Sequence, residues 1–495
     1  MKTLSLRHFF LLPFSLLLAA NVLFAQEPEA LTLQQCLGIA LKQSFPMQRA
    51  IQQFISDRKS FESQSMMFPT SIDLTMQTPT YNEAPIYQFN ALSQRYEYFQ
   101  LQTTSMESNL SLTQPVSITG GTFYLSGDVL KQNQTSSFSG ATNYYGNFQI
   151  SLRQPLFYPN LLKINRDQAN LRLDETYSNF QHDELDVVYQ VTNAFYTAYR
   201  LSQQEKITLD QVKQIEETYS AAKSKYGAGL IPEVDMLQSE VDLASSRNQS
   251  LNNKNDASRA KNALKVMLGL PLEKDVLLQA DLHFDSVTVD QKMAIDKALA
   301  NRAELLNAER NRDISRLDVD IASSRRHVKF DLTASYGLNR NDTLLASVFN
   351  DFNRGRAVAL QVSVPIFDWG IHAREVESAE AQLMNADLNY QYTGQQIRQE
   401  IIDLVATIYA AQSRITVLAK TVEVAQKTYD ITQERYAVGT ASRNDLAQAQ
   451  QRLTSARLDN LGALIDYQLG LADLERKTFW NFQKNEPVKI ELPVE

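Results

Sequence analysis

Cysteine is almost missing from this 495-residue chain: Cys36 is the single one, so it has no disulfide partner within the chain. It sits in Leu33-Gln-Gln-Cys36-Leu-Gly-Ile-Ala40 and reads as a small apolar residue on a helix face. Histidine is also sparse, with five residues at 8, 182, 283, 327 and 372, and none lie at metal-ligand spacing. No Ser/His/Asp or Cys/His set occupies a strand-turn-helix setting. Thr119-Gly120-Gly121-Thr122 lacks the lysine of a phosphate loop and reads as a β-turn. These absences predict a protein that is not an enzyme and needs no metal or cofactor. An excess of positive charge is missing too: 48 Lys and Arg stand against 56 Asp and Glu, a net charge of −8, which argues against nucleic acid as a partner.

The chain also lacks long apolar runs, except at its start. Lys2 and Arg7 precede an apolar stretch from 9 to 20, and Leu23-Phe24-Ala25 comes before Gln26. Residues 1–25 therefore read as an export signal. A transmembrane helix is the competing reading, but the apolar core contains Pro13 and Ser15 and is shorter than the ~20 residues a bilayer needs. Gln26 is not the cysteine of a lipid anchor. Beyond the signal, a membrane could be crossed only by a closed β-barrel, because no uncharged stretch of about 18 apolar residues follows.

What is present is a repeat. Gln154-Pro155-Leu156-Phe157 matches Val364-Pro365-Ile366-Phe367, an offset of 210 positions. The same offset carries Thr218-Tyr219 onto Thr428-Tyr429, Tyr226-Gly-Ala-Gly229 onto Tyr436-Ala-Val-Gly439, Asp235 onto Asp445 and Gln238 onto Gln448. Leu31-Thr32-Leu33 resembles Val287-Thr288-Val289 at an offset of 256, so the first half carries 46 extra residues before Pro155. We read a duplication. Its units are 26–285 and 286–480, followed by a tail over 481–495.

Each unit changes texture partway. Residues 160–226 contain neither glycine nor proline, between Pro159 and Gly227; in the second unit 371–436 is broken only by Gly394. A continuous helix of that length would be about 100 Å long. Ile397, Ile401, Leu404, Ile408, Ala411, Ile415, Leu418, Val422, Ala425 and Tyr429 alternate steps of four and three, a coiled-coil seam. The first unit has a matching seam from Val187 to Tyr219 with polar breaks at Glu205 and Thr208. Gly229 and Gly439 suit left-handed helix ends, Pro232 a following helix start, and Ser442 with Asp445 a capping box. Helical hairpins are thus expected over about 160–268 and 371–476.

Before each long helix the period becomes two. Segments 71–76, 108–114, 122–129 and 145–153 read as strands in the first unit, and 330–336 and 357–364 in the second, placing strand regions at about 70–156 and 328–366. Tyr87, Phe89, Tyr96, Tyr98, Phe99, Tyr144, Tyr145 and Phe148 supply material for interfacial girdles. The alternation alone fits an ordinary antiparallel sheet equally well. As a barrel it has too few strands to close without other copies.

Export signal, duplication, paired strands, long helices and glycine-containing tips together resemble the TolC family of outer-membrane efflux and secretion channels, over nearly the whole mature chain. That resemblance implies a mixed α/β membrane protein: long coiled-coil hairpins forming a periplasmic tunnel, and a trans-chain 12-stranded β-barrel in a homotrimer, with about four strands per chain. It implies a Gram-negative outer-membrane exit duct, embedded in outer-membrane lipid, for a periplasmic membrane-fusion adaptor and an inner-membrane pump of RND or ABC type. By the same resemblance, Ala228-Gly229-Leu230 and Val438-Gly439-Thr440 dock the adaptor, against the plain reading that they are only helix-ending turns. Asp235 and Tyr436 fall on periplasmic gate positions. The family's gate arginine is replaced by Ala441, with Arg443 two residues on; Asp445 matches one acid of the entrance ring and Gln448 replaces the second. A coiled-coil structural protein without a pore is the alternative reading.

Overall fold

The computed structural model describes residues 29–65, 69–136, 140–157, 159–282 and 284–489. The expected export signal and the last residues of the tail lie outside them. In chain order the elements are β1 (Glu29–Thr32), α1 (Leu33–Gln43), α2 (Phe45–Ser65), β2 (Ser71–Asn90), β3 (Arg95–Val116), β4 (Gly121–Ser136), β5 (Gly140–Leu156), α3 (Leu161–Gly227) and α4 (Glu233–Leu268). They continue with β6 (Val276–Gln279), α5 (Gln291–Asn301), α6 (Ala303–Ser324), β7 (Lys329–Asp342), β8 (Asn353–Ser363), α7 (Ile371–Ala437), α8 (Arg443–Thr478), β9 (Trp480–Asn481) and β10 (Glu486–Pro487). The tail thus begins with a small antiparallel hairpin, β9–β10.

The long helices form where the glycine- and proline-free stretches run. α3 and α7 each have 67 residues, and α4 and α8 each have 36, so both hairpins have the same proportions. Along α7 the heptad positions Ile397, Ile401, Ile408, Ile415 and Tyr429 are buried. The polar break at Thr208 in α3 is matched across the hairpin: Asn253 of α4 donates to its hydroxyl at 3.2 Å, so the buried pair is satisfied.

Two cores hold the helices at the level where the short elements pack. In the first unit β1 pairs in parallel with β6, and α1 and α2 close over α3 around Phe195, Val191, Leu264 and Cys36. Burial pushes the Cys36 thiol up to about 11, as expected for a core position. In the second unit α5 and residues 284–290 close over α7 and α8 around Ile401, Ile408, Leu474 and Tyr467.

The sheet has the six strands that the alternating segments predict, two more than the resemblance implied. They run in the order β2-β3-β4-β5-β7-β8, each antiparallel to its neighbours. The repeat explains the surplus. β4–β5 leads into α3 as β7–β8 leads into α7, so the β2–β3 hairpin, residues 71–116, is an insertion between α2 and β4 and accounts for the extra length of the first unit.

Register separates the two faces of this sheet. One row of partners runs Thr75, Asn109, Asp128, Asn147, Asn339, Asn353 across all six strands and is polar throughout. Asn109 and Asn147 both donate to Asp128 within it. The opposite face carries Ile72, Leu74, Met76, Leu110, Leu112, Phe123, Leu125, Ile150, Leu152, Leu332, Leu338, Val358, Leu360 and Val362, by the same pairing and the alternation of a strand. A register shift between Gln77 and Thr80 changes the parity of β2, which keeps Tyr87 and Phe89 on that apolar face beside Tyr96 and Tyr98. Gly120, at φ 75°, turns the chain between β3 and β4 on the helix side of the sheet, and the Asn160 side chain, which caps α3, donates to Ser117 O at 2.7 Å to tie that turn to the helix.

Candidate functional site at the hairpin tips

Both hairpins reverse at their far ends by the same backbone device. At the first tip the amide of Gly229 donates to Tyr226 O at 2.8 Å and that of Leu230 to Lys225 O at 2.9 Å; at the second, Gly439 donates to Tyr436 O at 3.2 Å and Thr440 to Arg435 O at 2.8 Å. These bonds satisfy the last carbonyls of α3 and α7, and they require a left-handed residue, supplied by Gly229 (φ 73°) and Gly439 (φ 80°). A Cβ added at either glycine would meet no other atom within 4 Å. Leu230 is 73% exposed and Val438 75%, so each tip presents one bare apolar side chain beside its glycine.

The helix starts differ. Pro232 precedes α4 as the cap residue without a side-chain bond, and Glu233 and Asp235 lie in the first turn. α8 has a full capping box: Ser442 N donates to Asp445 Oδ2 at 3.0 Å and Asp445 N to Ser442 Oγ at 3.2 Å. The hydrogen bonds from Ser442 hold the Asp445 carboxyl below its usual value.

The two tips meet. Asp235, Tyr436 and Arg443 line one cleft with Lys225, Leu230, Val438 and Gly439, so three residues singled out as gate positions converge there. Asp445 lies outside that lining, engaged in its cap. Burial raises the Tyr436 phenol above its usual range; Asp235 adds to the rise and Arg443 opposes it. The charged contact takes a different partner from the one the gate positions suggested: Arg443 pairs with Asp242 on α4, and it also donates to Asn444 Oδ1 at 2.7 Å. A second tie comes from Lys225, whose Nζ donates to the Tyr436 carbonyl at 2.8 Å and lies 4.3 Å from the centre of its ring. Reading the sequence missed Lys225 and Asp242. Asp242 lies seven residues, about two helical turns, beyond Asp235, so it shares that residue's face of α4; that spacing was the only available signal. Among the described residues no cluster of His, Cys, Asp and Glu is arranged to hold a metal.

Strands with one apolar face, helices of about 100 Å and paired tips at the far end define a protomer of a membrane-anchored duct. Residues 122–270 and 294–477 match the sequence model of the outer membrane efflux protein family, and the chain belongs to that family. It is a TolC-like outer-membrane protein, and members of this family are channels rather than enzymes. Among its relatives, the antibiotic efflux pump outer membrane protein ArpC of Pseudomonas putida is 22% identical, over 56% of this chain and 57% of that protein. The alkaline protease secretion protein AprF of Pseudomonas aeruginosa is 22% identical over 66% and 68%. The chain thus spans a little over half the length of the efflux relatives it matches. In structure it is similar to VceC of Vibrio cholerae (TM-score 0.68, 17% identity, 90% of this chain and 96% of that one) and to the CmeC channel of Campylobacter jejuni (TM-score 0.67, 16% identity, 93% and 87%).

Proposed function

We propose that three copies of this chain form an exit duct through the outer membrane, serving a tripartite efflux pump or a type I secretion system. The sheet is the observation that carries this reading. It has a polar face, an apolar face and, among the described residues, an unpaired edge at β2 and another at β8. One chain cannot hide such a sheet in lipid, whereas a closed ring of copies removes the edges and turns the polar face to a water-filled lumen. The helices support it as well. Tyr409, Val417, Val424 and Ile431 make an exposed apolar stripe on α7, and Val234, Leu237 and Val241 another on α4, both suited to neighbouring copies.

In this reading the tips are the regulated end. A periplasmic adaptor docks against Gly229-Leu230 and Val438-Gly439, an RND- or ABC-type pump supplies energy, and the duct itself conducts passively. The Lys225–Tyr436 and Arg443–Asp242 ties hold one hairpin against the other in the closed form, so adaptor engagement has to break them. Its relatives include both a drug efflux protein and a protease secretion protein, so cargo would be chosen by the pump. The test is purification in mild detergent followed by unheated gels and planar-bilayer recording. Heat-labile trimers that conduct ions support the duct; a soluble monomer without conductance overturns it and leaves a coiled-coil structural protein.

A further inference from the structure

The β2–β3 hairpin lies outside the residues that match the family, which begin at Thr122. It is nonetheless built as membrane wall. β3 pairs with β4 over sixteen consecutive positions, from Leu101 with Ser136 to Val116 with Gly121, and the apolar face runs without interruption from β8 to β2. Measured from the Thr75-to-Asn353 row, the outer apolar residues of β8 (Val358, Leu360, Val362) lie wholly on the helix side. Those of β3 (Leu112, Leu110, Met106, Tyr98, Tyr96) reach well past it. A band that climbs from strand to strand is what a tilt of about 40° produces in a barrel, and the hairpin follows the climb.

We propose that this hairpin enters the wall at each subunit seam, so that β8 of one copy pairs with β2 of the next and the trimer's barrel has eighteen strands. The proposal rests on the trimeric duct described above and specifies how its copies join. Polarity permits it: six alternating strands leave β8 antiparallel to the next β2, as an even insertion must. Both edges carry the apolar face to the seam, with Val358 77% and Ile72 67% exposed. Proline marks where the seam ends. Residues 71–78 contain none, whereas Pro79 and Pro85 above them lack the donor a partner strand needs and are tolerated at an edge. The circumferences also agree. Three copies of two hairpins give twelve helices, a ring of about 110 Å at about 9 Å spacing. Eighteen strands about 4.8 Å apart and tilted about 40° also give about 110 Å, against about 75 Å for twelve.

The test uses the full chain carrying Cys36→Ala, with a cysteine placed at Leu360 in β8 and a second at Ile72, Leu74 or Met76 in β2, or at Phe123 or Leu125 in β4. After copper–phenanthroline oxidation in membranes, covalent dimers and trimers from at least one β8–β2 pair are expected, and none from β8–β4 pairs. Cross-linking of β8 to β4 would mean that the hairpin stands outside a twelve-stranded wall and would overturn the proposal. Intact trimers with no β8–β2 product would also overturn it while leaving the duct standing; monomers without any product would remove both. Electron microscopy of the unsubstituted particle in lipid discs counts the strands independently, eighteen expected and twelve contrary.

Discussion

Lys225 and Tyr436 lie 211 residues apart in sequence and are joined twice at the tips, by a 2.8 Å hydrogen bond from ammonium to carbonyl and by the ammonium's position over the ring. With the Arg443–Asp242 pair, they fasten the α3–α4 hairpin to the α7–α8 hairpin where a duct would close.

The first prediction concerns these ties. Each is partly exposed and worth about 1 kcal/mol, enough to shift a closed-to-open balance about fivefold. Lys225→Met and Arg443→Gln should each raise the open fraction in planar bilayers by about that factor. Asp242→Asn added to Arg443→Gln should add little, because the two residues share one interaction. Conductance traces identical to the unsubstituted protein would mean that the ties do not gate.

Docking at the glycines makes a second prediction. A side chain at Gly229 or Gly439 meets no atom but forces a left-handed backbone, at a cost of about 1 kcal/mol. Asparagine tolerates that conformation better than tryptophan, so the two substitutions separate strain from lost contact. Gly229→Trp and Gly439→Trp should abolish adaptor cross-linking with trimers intact, while Gly→Asn should retain much of it. Equal cross-linking in all variants would remove the tips as the docking site.

How much of this was legible beforehand depends on range. α3 was expected over 160–226 and runs Leu161–Gly227, because helix continuity is local and leaves its mark as missing glycine and proline. β2 and β3 were anticipated only as 71–76 and 108–114, yet they run to 20 and 22 residues. Pro79, Pro85 and the register shift at Gln77 broke the alternation that would have extended β2, and only a strand at a sheet edge absorbs such breaks. The tip glycines and the Ser442–Asp445 box could be read from spacing. The partner of Arg443 left a fainter mark, since Asp242 comes from another hairpin 201 residues away and only its shared helix face with Asp235 pointed to it.

Acid should loosen one tip selectively. The Asp445 carboxyl is held below the ordinary aspartate value of 3.8 by Ser442, so its cap contributes fully above that value and is lost as pH falls through the lower folded-state value. Amide protection in the first turn of α8, taken relative to the intrinsic exchange rate at each pH, should therefore be higher at pH 5 and fall toward pH 3, while the start of α4, capped by Pro232 without a side-chain bond, shows no such step. Asp445→Asn should flatten the difference. A step of equal size at both tips would assign the effect to general acid expansion.

A single hydroxyl governs the last prediction. Tyr467 of α8 is buried, and its phenol donates to Asp285 O at 2.8 Å while accepting from Val287 N at 3.2 Å and Gln412 Nε2 at 3.4 Å. Two residues along, Tyr409 of α7 repeats the device, accepting from Val289 N at 3.2 Å and donating to Val289 O at 2.9 Å. The irregular strap from Asp285 to Val289 has no strand partner, so these two phenols supply the bonds that a ladder would otherwise give it. Tyr467→Phe keeps the ring against Phe284 but takes the phenol from Asp285 O and from the half-buried Val287 N, a cost of about 1 kcal/mol. Tyr409→Phe, at a more exposed position, should cost less. Protease nicking of the strap and faster amide exchange there should appear in Tyr467→Phe before the long hairpins lose helicity by circular dichroism. If both signals changed together, the strap would be part of the hairpin's own cooperative unit, and the phenol would stabilise α7 and α8 directly.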